Sequence, residues 1–150
     1  MNNADVREYY ARITDIDIGA VARELLDGRI TEETPARLLC DCPHHQSQSH
    51  RSLHIRLDAQ AWICFGCAVG GDVLQLVEFI QSGAVTSGHS GEMPESHRKS
   101  RDWLANRAGL PPLGQYGLSP DQIAEMERRR ACETRVQDAL SALADYYHRR

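Results

Sequence analysis

The stretch AWICFGC, residues 61–67, holds two cysteines two residues apart on either side of a phenylalanine and a glycine. Upstream, the stretch CPHH, residues 42–45, carries a cysteine and a histidine at the same spacing. This spacing lets both side chains of a pair reach one ion, and zinc favours tetrahedral sets of four sulfur and nitrogen ligands. We therefore predict one structural zinc ion with a closed ligand set, made up of Cys42, His45, Cys64 and Cys67.

Two other readings of these cysteines are a redox pair and chance clustering. A Cys-x-x-Cys redox pair of the thioredoxin kind needs a βαβ setting, which the sequence does not indicate. Around the upstream ligand pair Cys42 and His45, Cys40 and His44 stay open as substitute ligands. We expect Cys40 to be the spare cysteine, a small apolar residue at the end of a strand.

The composition limits the class of protein. The chain has 150 residues, 41% of them hydrophobic, and a formal net charge of −4. It has five cysteines and no export signal, which argues against a disulfide framework and favours a cytoplasmic location. No apolar run approaches the roughly 20 residues that cross a bilayer, so we expect no membrane partner. Because the chain is acidic overall, any binding of nucleic acid must come from a local patch.

The hydrophobic pattern predicts an α+β fold. Alternation in residues 52–57 indicates a half-buried strand, and residues 61–64 return as its antiparallel partner. Helical spacing of apolar residues predicts a helix over 18–26, and Asp72 with Gln75 forms a capping-box pattern before a buried helix. The expected architecture is a small zinc ribbon with a short antiparallel sheet flanked by helices, followed by C-terminal helices.

Composition shifts divide the chain into four predicted segments. Ser119, followed by proline, starts the last helix, which has a possible break near Cys132. The segments in chain order are a zinc-ribbon module (1–83), a flexible Gly/Ser-rich linker (84–94), an accessory helix and loop (95–118) and a C-terminal helical segment (119–150).

These motifs together resemble the zinc-binding domain of bacterial DnaG-type DNA primases. The resemblance is carried by Cys42-Pro43-His44-His45, by Cys64-Phe65-Gly66-Cys67 and by Gly71-Asp72-Val73-Leu74. It continues in WLANRAG, residues 103–109, and more weakly in ALADYYHRR, residues 142–150, which resembles the first helix of the primase catalytic core. Three positions depart from the family pattern, with His44 for an aromatic residue, Arg51 for a proline and Ala68 for a glycine.

The resemblance implies a module that recognises a single-stranded DNA template during RNA primer synthesis for DNA replication. Its implied partners are the template, a primase catalytic core, and a replicative helicase or another replication protein. We expect no catalytic residue within the chain, because no carboxylate pair, P-loop or activated nucleophile is evident. Any polymerase activity would therefore lie in a core outside this sequence.

A candidate nucleic-acid surface lies on the predicted hairpin. Arginine side chains can contact phosphate, and aromatic rings on a sheet can stack on unpaired bases. We predict that the outer face of the hairpin binds the template weakly, with micromolar or poorer affinity, through Arg51, His54, Arg56, Trp62 and Phe65. For Trp62, and likewise for Phe65, packing in the core is the alternative.

A different class of function also fits the sequence. The chain could be a free-standing zinc-ribbon regulator or adaptor that binds DNA or protein, for example one carried by a mobile element. An apolar stripe on the last helix would then contact the partner, through Val136, Leu140, Leu143 and Tyr147.

Overall fold

A computed structural model of the chain describes residues 2–88 and 91–149. Met1, His89, Ser90 and Arg150, which fall in the predicted module, linker and C-terminal segment, lie outside the described residues. Among the helices of the described part, none combines the length and apolar character needed to span a membrane.

The described residues form an α+β fold with one antiparallel sheet, as the sequence predicts. The helices are α1 (Asn3–Thr14), α2 (Ile18–Leu25), α3 (Val73–Ser82), α4 (Glu95–Arg107) and α5 (Pro120–His148), with a short 3₁₀ helix at Leu113–Gln115. The strands are β1 (Ile30–Glu33), β2 (Arg37–Cys40), β3 (Leu53–Arg56), β4 (Ala61–Cys64) and β5 (Val69–Gly71).

The sheet is a meander in which each strand pairs with the next one along the chain. Within it, β3 and β4 pair in the register Leu53 with Cys64 and Ile55 with Trp62, and all four of these side chains are buried. Because side chains alternate along a strand, His54, Arg56 and Ile63 lie on the opposite face, which we call the outer face.

The core forms where helices cover the inner face of this sheet. Helix α3 contacts β4 and β5 and also α1, α2 and α4, while α2 contacts β3. The Trp62 ring stacks on Phe79 of α3 with 4.9 Å between ring centroids, and its Nε1–H donates to the Asp72 carbonyl at 2.9 Å. Helix α3 is therefore the central element, as its almost uniformly apolar sequence predicts.

The predicted helix starts are confirmed at the level of individual hydrogen bonds. At the start of α3, Asp72 accepts from the Gln75 amide, and Gln75 accepts from the Asp72 amide. Ser119 forms the same reciprocal capping box with Gln122 at the start of α5. Helix α5 continues through Cys132 without the break considered from the sequence.

The predicted linker does not separate the accessory helix from the zinc module. Glu78 of α3 is fully buried, and its carboxylate accepts from the Thr86 amide (2.8 Å), the Thr86 hydroxyl (2.6 Å) and the Ser96 hydroxyl (2.7 Å). His97 Nδ1 lies 3.9 Å from the same carboxylate. The first compact unit consequently extends to Gly114, so a boundary at residues 84–94 is not observed there.

The second compact unit begins at Gln115 and consists mainly of α5. None of its described residues is buried. Its C-terminal half exposes large apolar side chains at Val136, Leu140, Leu143, Tyr146 and Tyr147.

Candidate functional site

Four side chains from two tight turns converge at one end of the sheet. Cys42 and His45 follow β2, Cys64 ends β4, and Cys67 lies in the turn before β5. The His45 Nδ1 atom is 3.1 Å from Cys67 Sγ and 3.8 Å from Cys64 Sγ, and the Cys42 and Cys67 sulfurs are 3.8 Å apart. All four ligand atoms lie within 4.8 Å of one another.

This geometry fits a single zinc ion. Zinc–sulfur bonds of about 2.3 Å arranged as a tetrahedron place sulfurs about 3.8 Å apart. The four residues are thus positioned to bind one zinc ion. His45 turns its Nδ1 atom toward the sulfurs, which makes Nδ1 the histidine ligand atom. A closed set of four protein ligands leaves no position for a reactive water, so the ion is structural.

Two cysteine thiols of the site have raised pKa values, so they need a bound cation to lose their protons at neutral pH. Burial, followed by the neighbouring thiols of Cys64 and Cys42, raises the pKa of Cys67 to about 12. Burial also raises the pKa of Cys42, although backbone N–H groups of His44 and His45 partly oppose it. Zinc binding must therefore displace protons from these thiols, which couples the metal affinity to pH.

Two backbone positions shape the second turn. A side chain at Gly66 would overlap the His45 imidazole, so only glycine lets the ring reach the sulfurs. Ala68 has a φ of 57°, in the left-handed region that favours glycine. The departure from the family pattern at Ala68 therefore places alanine in a strained conformation directly after the last ligand.

Neither of the substitute ligands belongs to the cluster. Cys40 is buried in β2, and desolvation, followed by the charge of Glu33, raises its pKa to about 12, so it behaves as a small apolar residue. The His44 ring packs edge-on against Phe79 at 4.8 Å between centroids, and its Nε2–H donates to the Phe79 carbonyl. His44 thus fills an aromatic packing position against α3.

The expectation that Trp62 lies on the outer face is wrong. Its side chain is only 3% exposed and packs on Phe79, which was the alternative reading. The physical reason is the two-residue period of a strand, which turns Trp62 to the same side as Cys64 and away from solvent. Trp62 therefore supports the sheet from its inner face.

The other predicted contact residues are accessible. Phe65 is 63% exposed, and its ring meets His54 edge-on with 4.8 Å between centroids. His54 is half-buried, while Arg51 and Arg56 are exposed and pair with Glu32 (3.3 Å) and Asp58 (3.0 Å).

Sequence reasoning missed two residues of the same surface. Ile63, the cross-strand partner of His54, is 39% exposed and extends the apolar patch around Phe65. Arg37 of β2 lies directly opposite Arg56 of β3. The sequence did contain an indication. In ARLLC, residues 36–40, Arg37 directly precedes the apolar Leu38, which is buried, and neighbouring residues of a strand point to opposite faces.

Comparison with known proteins places this site in a family. Residues 13–87 match the model of the CHC2 zinc finger, the zinc ribbon of DnaG. The crystal structure of the zinc-binding and RNA polymerase domains of the Aquifex aeolicus primase is similar, with 26% sequence identity and a TM-score of 0.52. That similarity covers 74% of this chain and 23% of the Aquifex chain. No curated protein matches the chain. The matched region contains all four zinc ligands and the whole sheet, so the chain belongs to the CHC2 zinc finger family of DnaG primases.

Proposed function

We propose that this chain is the template-recognition module of a DnaG-type primase and binds single-stranded DNA during RNA primer synthesis. The observation that carries the proposal is the outer face of the sheet. There an exposed aromatic ring, Phe65, lies beside His54 and Ile63, with arginines at its border. Aromatic platforms with nearby cations are typical of surfaces that bind single strands.

The zinc ion has an indirect part in this role. Phe65 is held between the ligands Cys64 and Cys67, and its amide donates to the Ser52 carbonyl of the neighbouring chain segment at 2.9 Å. Zinc would fix this turn and so hold the stacking ring in place. The metal would supply rigidity, while the protein surface makes the contacts.

A DNA-binding measurement on the full chain tests the proposal. Stacking on one base contributes about 1–3 kcal/mol, so Phe65→Ala is expected to weaken binding of a labelled oligothymidylate by about 5- to 150-fold. The matched control is Tyr147→Ala, which removes another exposed aromatic ring (73%, against 63% for Phe65) from α5. Fluorescence anisotropy at low salt gives both affinities. Equal losses in the two variants would contradict a stacking role for Phe65.

The wider assignments belong to the same proposal. A primase catalytic core, a replicative helicase or another replication protein would be the protein partners, in the cytoplasm. The polymerase activity itself would require the core, since this chain corresponds to 23% of the similar Aquifex chain.

One observation favours the second candidate, an adaptor that binds protein. Helix α5 exposes Val136, Leu140, Leu143 and Tyr147 at spacings of four, three and four residues, which form one continuous stripe. Co-purification with a separately expressed primase core would favour the primase assignment, whereas a stable complex with an unrelated protein and no binding of DNA would favour the adaptor.

A further inference from the structure

An unusual pair of like charges lies on the outer face beside the stacking surface. Arg37 and Arg56 are direct cross-strand partners in β2 and β3. Like charges directly opposite one another destabilise a sheet, so the pairing contributes nothing favourable to the fold by itself. Because cross-strand partners on one face of a sheet have neighbouring side chains, a single anion could contact both arginines.

The two arginines line a small concave site. A pocket of about 310 Å³ is bordered by Ala36, Arg37, His54, Arg56 and Asp58. Two forked guanidinium groups around a pocket suit the several oxygens of a phosphate group, which they can bind in bidentate fashion.

The existing ion pairs do not block such a ligand. Arg37 approaches Glu32 at 3.5 Å, and Arg56 approaches Asp58 at 3.0 Å. The arginine side chains are 52% and 62% exposed, and ion pairs this exposed are weak and exchange partners readily. Asp58 also borders the pocket, so an incoming anion must displace its carboxylate from Arg56.

His54 connects this pocket to the stacking surface. It lines the pocket, and its ring also contacts the exposed ring of Phe65. A nucleotide whose base stacks on Phe65 would therefore have a neighbouring phosphate close to Arg37 and Arg56.

We propose that the pocket between Arg37 and Arg56 binds a phosphate group, and that this phosphate belongs to the backbone of the single-stranded template next to the base stacked on Phe65. The identity of the ligand rests on the proposed function, whereas the phosphate site rests on the geometry of the pocket. The phosphate tail of a nucleoside triphosphate is the other source with the same chemistry.

The test compares the salt dependence of binding for the full chain and for Arg37→Gln. For single strands, the slope of log K against log salt concentration changes by about 0.7 for each phosphate contact. Arg37→Gln should reduce the slope by that amount. Between 50 and 200 mM salt, the wild type should then lose about 2.6-fold more affinity for labelled oligothymidylate than the variant does.

The control is Arg23→Gln, which removes an exposed arginine that pairs with Glu33 and comes from α2. It should leave the slope unchanged. If Arg37→Gln behaves like this control while the wild type binds DNA, the pocket proposal is overturned and the template-recognition proposal survives. Unchanged melting curves would confirm that both variants fold.

Two further arms identify the source of the phosphate. If Arg37→Gln weakens binding of a labelled nucleoside triphosphate but leaves binding of oligothymidylate unchanged, the pocket binds phosphate and its assignment to the template is wrong. If the wild type binds no oligothymidylate, the template-recognition proposal fails, and NMR then decides about the pocket. Shifts of the Arg37 and Arg56 Nε–H signals on adding tripolyphosphate would support the pocket, and their absence would overturn it.

Discussion

The buried carboxylate of Glu78 should control whether helix α4 stays docked on the zinc module. Glu78 receives hydrogen bonds from Thr86 and Ser96 and lies beside His97, all of which follow α3 in the chain. We predict that Glu78→Ala releases this segment. The zinc cluster should stay formed, because its ligands are on the turns of the sheet.

The magnitude follows from the three hydrogen bonds. Each bond to a charged group contributes about 1.5–3 kcal/mol, and the desolvation of the carboxylate offsets several kcal/mol of the sum. Glu78→Ala leaves the two Thr86 donors and the Ser96 hydroxyl without their acceptor, at about 1–3 kcal/mol for each donor left unsatisfied, so we expect a cost of about 3–5 kcal/mol. Glu78→Gln keeps the volume and one acceptor oxygen, so about 2 kcal/mol is expected.

Tryptophan fluorescence during urea unfolding can separate the two events. Trp103 reports on α4, and Trp62 reports on the contact between the sheet and α3. In a Trp62→Phe background, the Trp103 transition should move to lower urea on Glu78→Ala. The matched control is Glu95→Gln, whose carboxylate is 71% exposed and pairs only with Lys99 in the described contacts. Coincident Trp103 transitions in the wild type and Glu78→Ala would refute the reasoning.

Three further predictions concern pH, the ligand set and the second turn. Burial pushes the pKa of Glu78 upward, but hydrogen bonds from the following segment outweigh it and leave the pKa lowered. The stability that Glu78 adds over Glu78→Gln should therefore be present above about pH 4.3 and decline as the pH falls further, as measured by paired melting curves. Cys67→Ser should release zinc and unfold the ribbon, whereas Cys40→Ser should retain a full equivalent of zinc by elemental analysis; loss of metal from Cys40→Ser would place that cysteine among the ligands. Ala68→Gly should stabilise the fold by about 1 kcal/mol, because it removes the cost of a left-handed alanine, while Ala36→Gly, at a turn position without positive φ, should destabilise it in chemical denaturation.

Local sequence patterns predicted the parts of the fold that local physics determines. The capping pairs of Asp72 with Gln75 and Ser119 with Gln122 are complete within four residues, so the helix starts could be read directly. The Asn2–Asp5 pair caps α1 in the same way, and the helix it opens was not predicted although the pattern was present.

Elements that depend on pairing partners were harder to predict. Strand β5 contains Val69 and two glycines and has little intrinsic strand propensity; it forms because β4 offers an edge to pair with. The docking of α4 on the zinc module could not be predicted from the sequence for a similar reason, because it depends on contacts between separate segments. A Gly/Ser-rich sequence is typical of a flexible linker, and only the position of Glu78 in space shows that Thr86 is held.

The zinc site was predictable because its spacing rules are local, whereas the surface that it supports depends on register. The pairs Cys42 with His45 and Cys64 with Cys67 each lie on one turn. By contrast, the arginine pair of Arg37 and Arg56 exists only because β2 and β3 align those residues. Register across two strands cannot be read from either strand alone.

The order of strands in the meander has a consequence for how the chain folds. Every strand pairs with its neighbour in sequence, and the longest connection, residues 41–52, carries the first ligand turn, so each pairing closes only a local loop. Topologies with such local pairing fold quickly. Pairing of β2 with β3 and of β3 with β4 brings the two ligand turns to the same end of the sheet. The metal can therefore be captured once Cys67 has emerged from the ribosome. The nascent chain would then have a metal-bound ribbon before α4 and α5 have emerged from the ribosome.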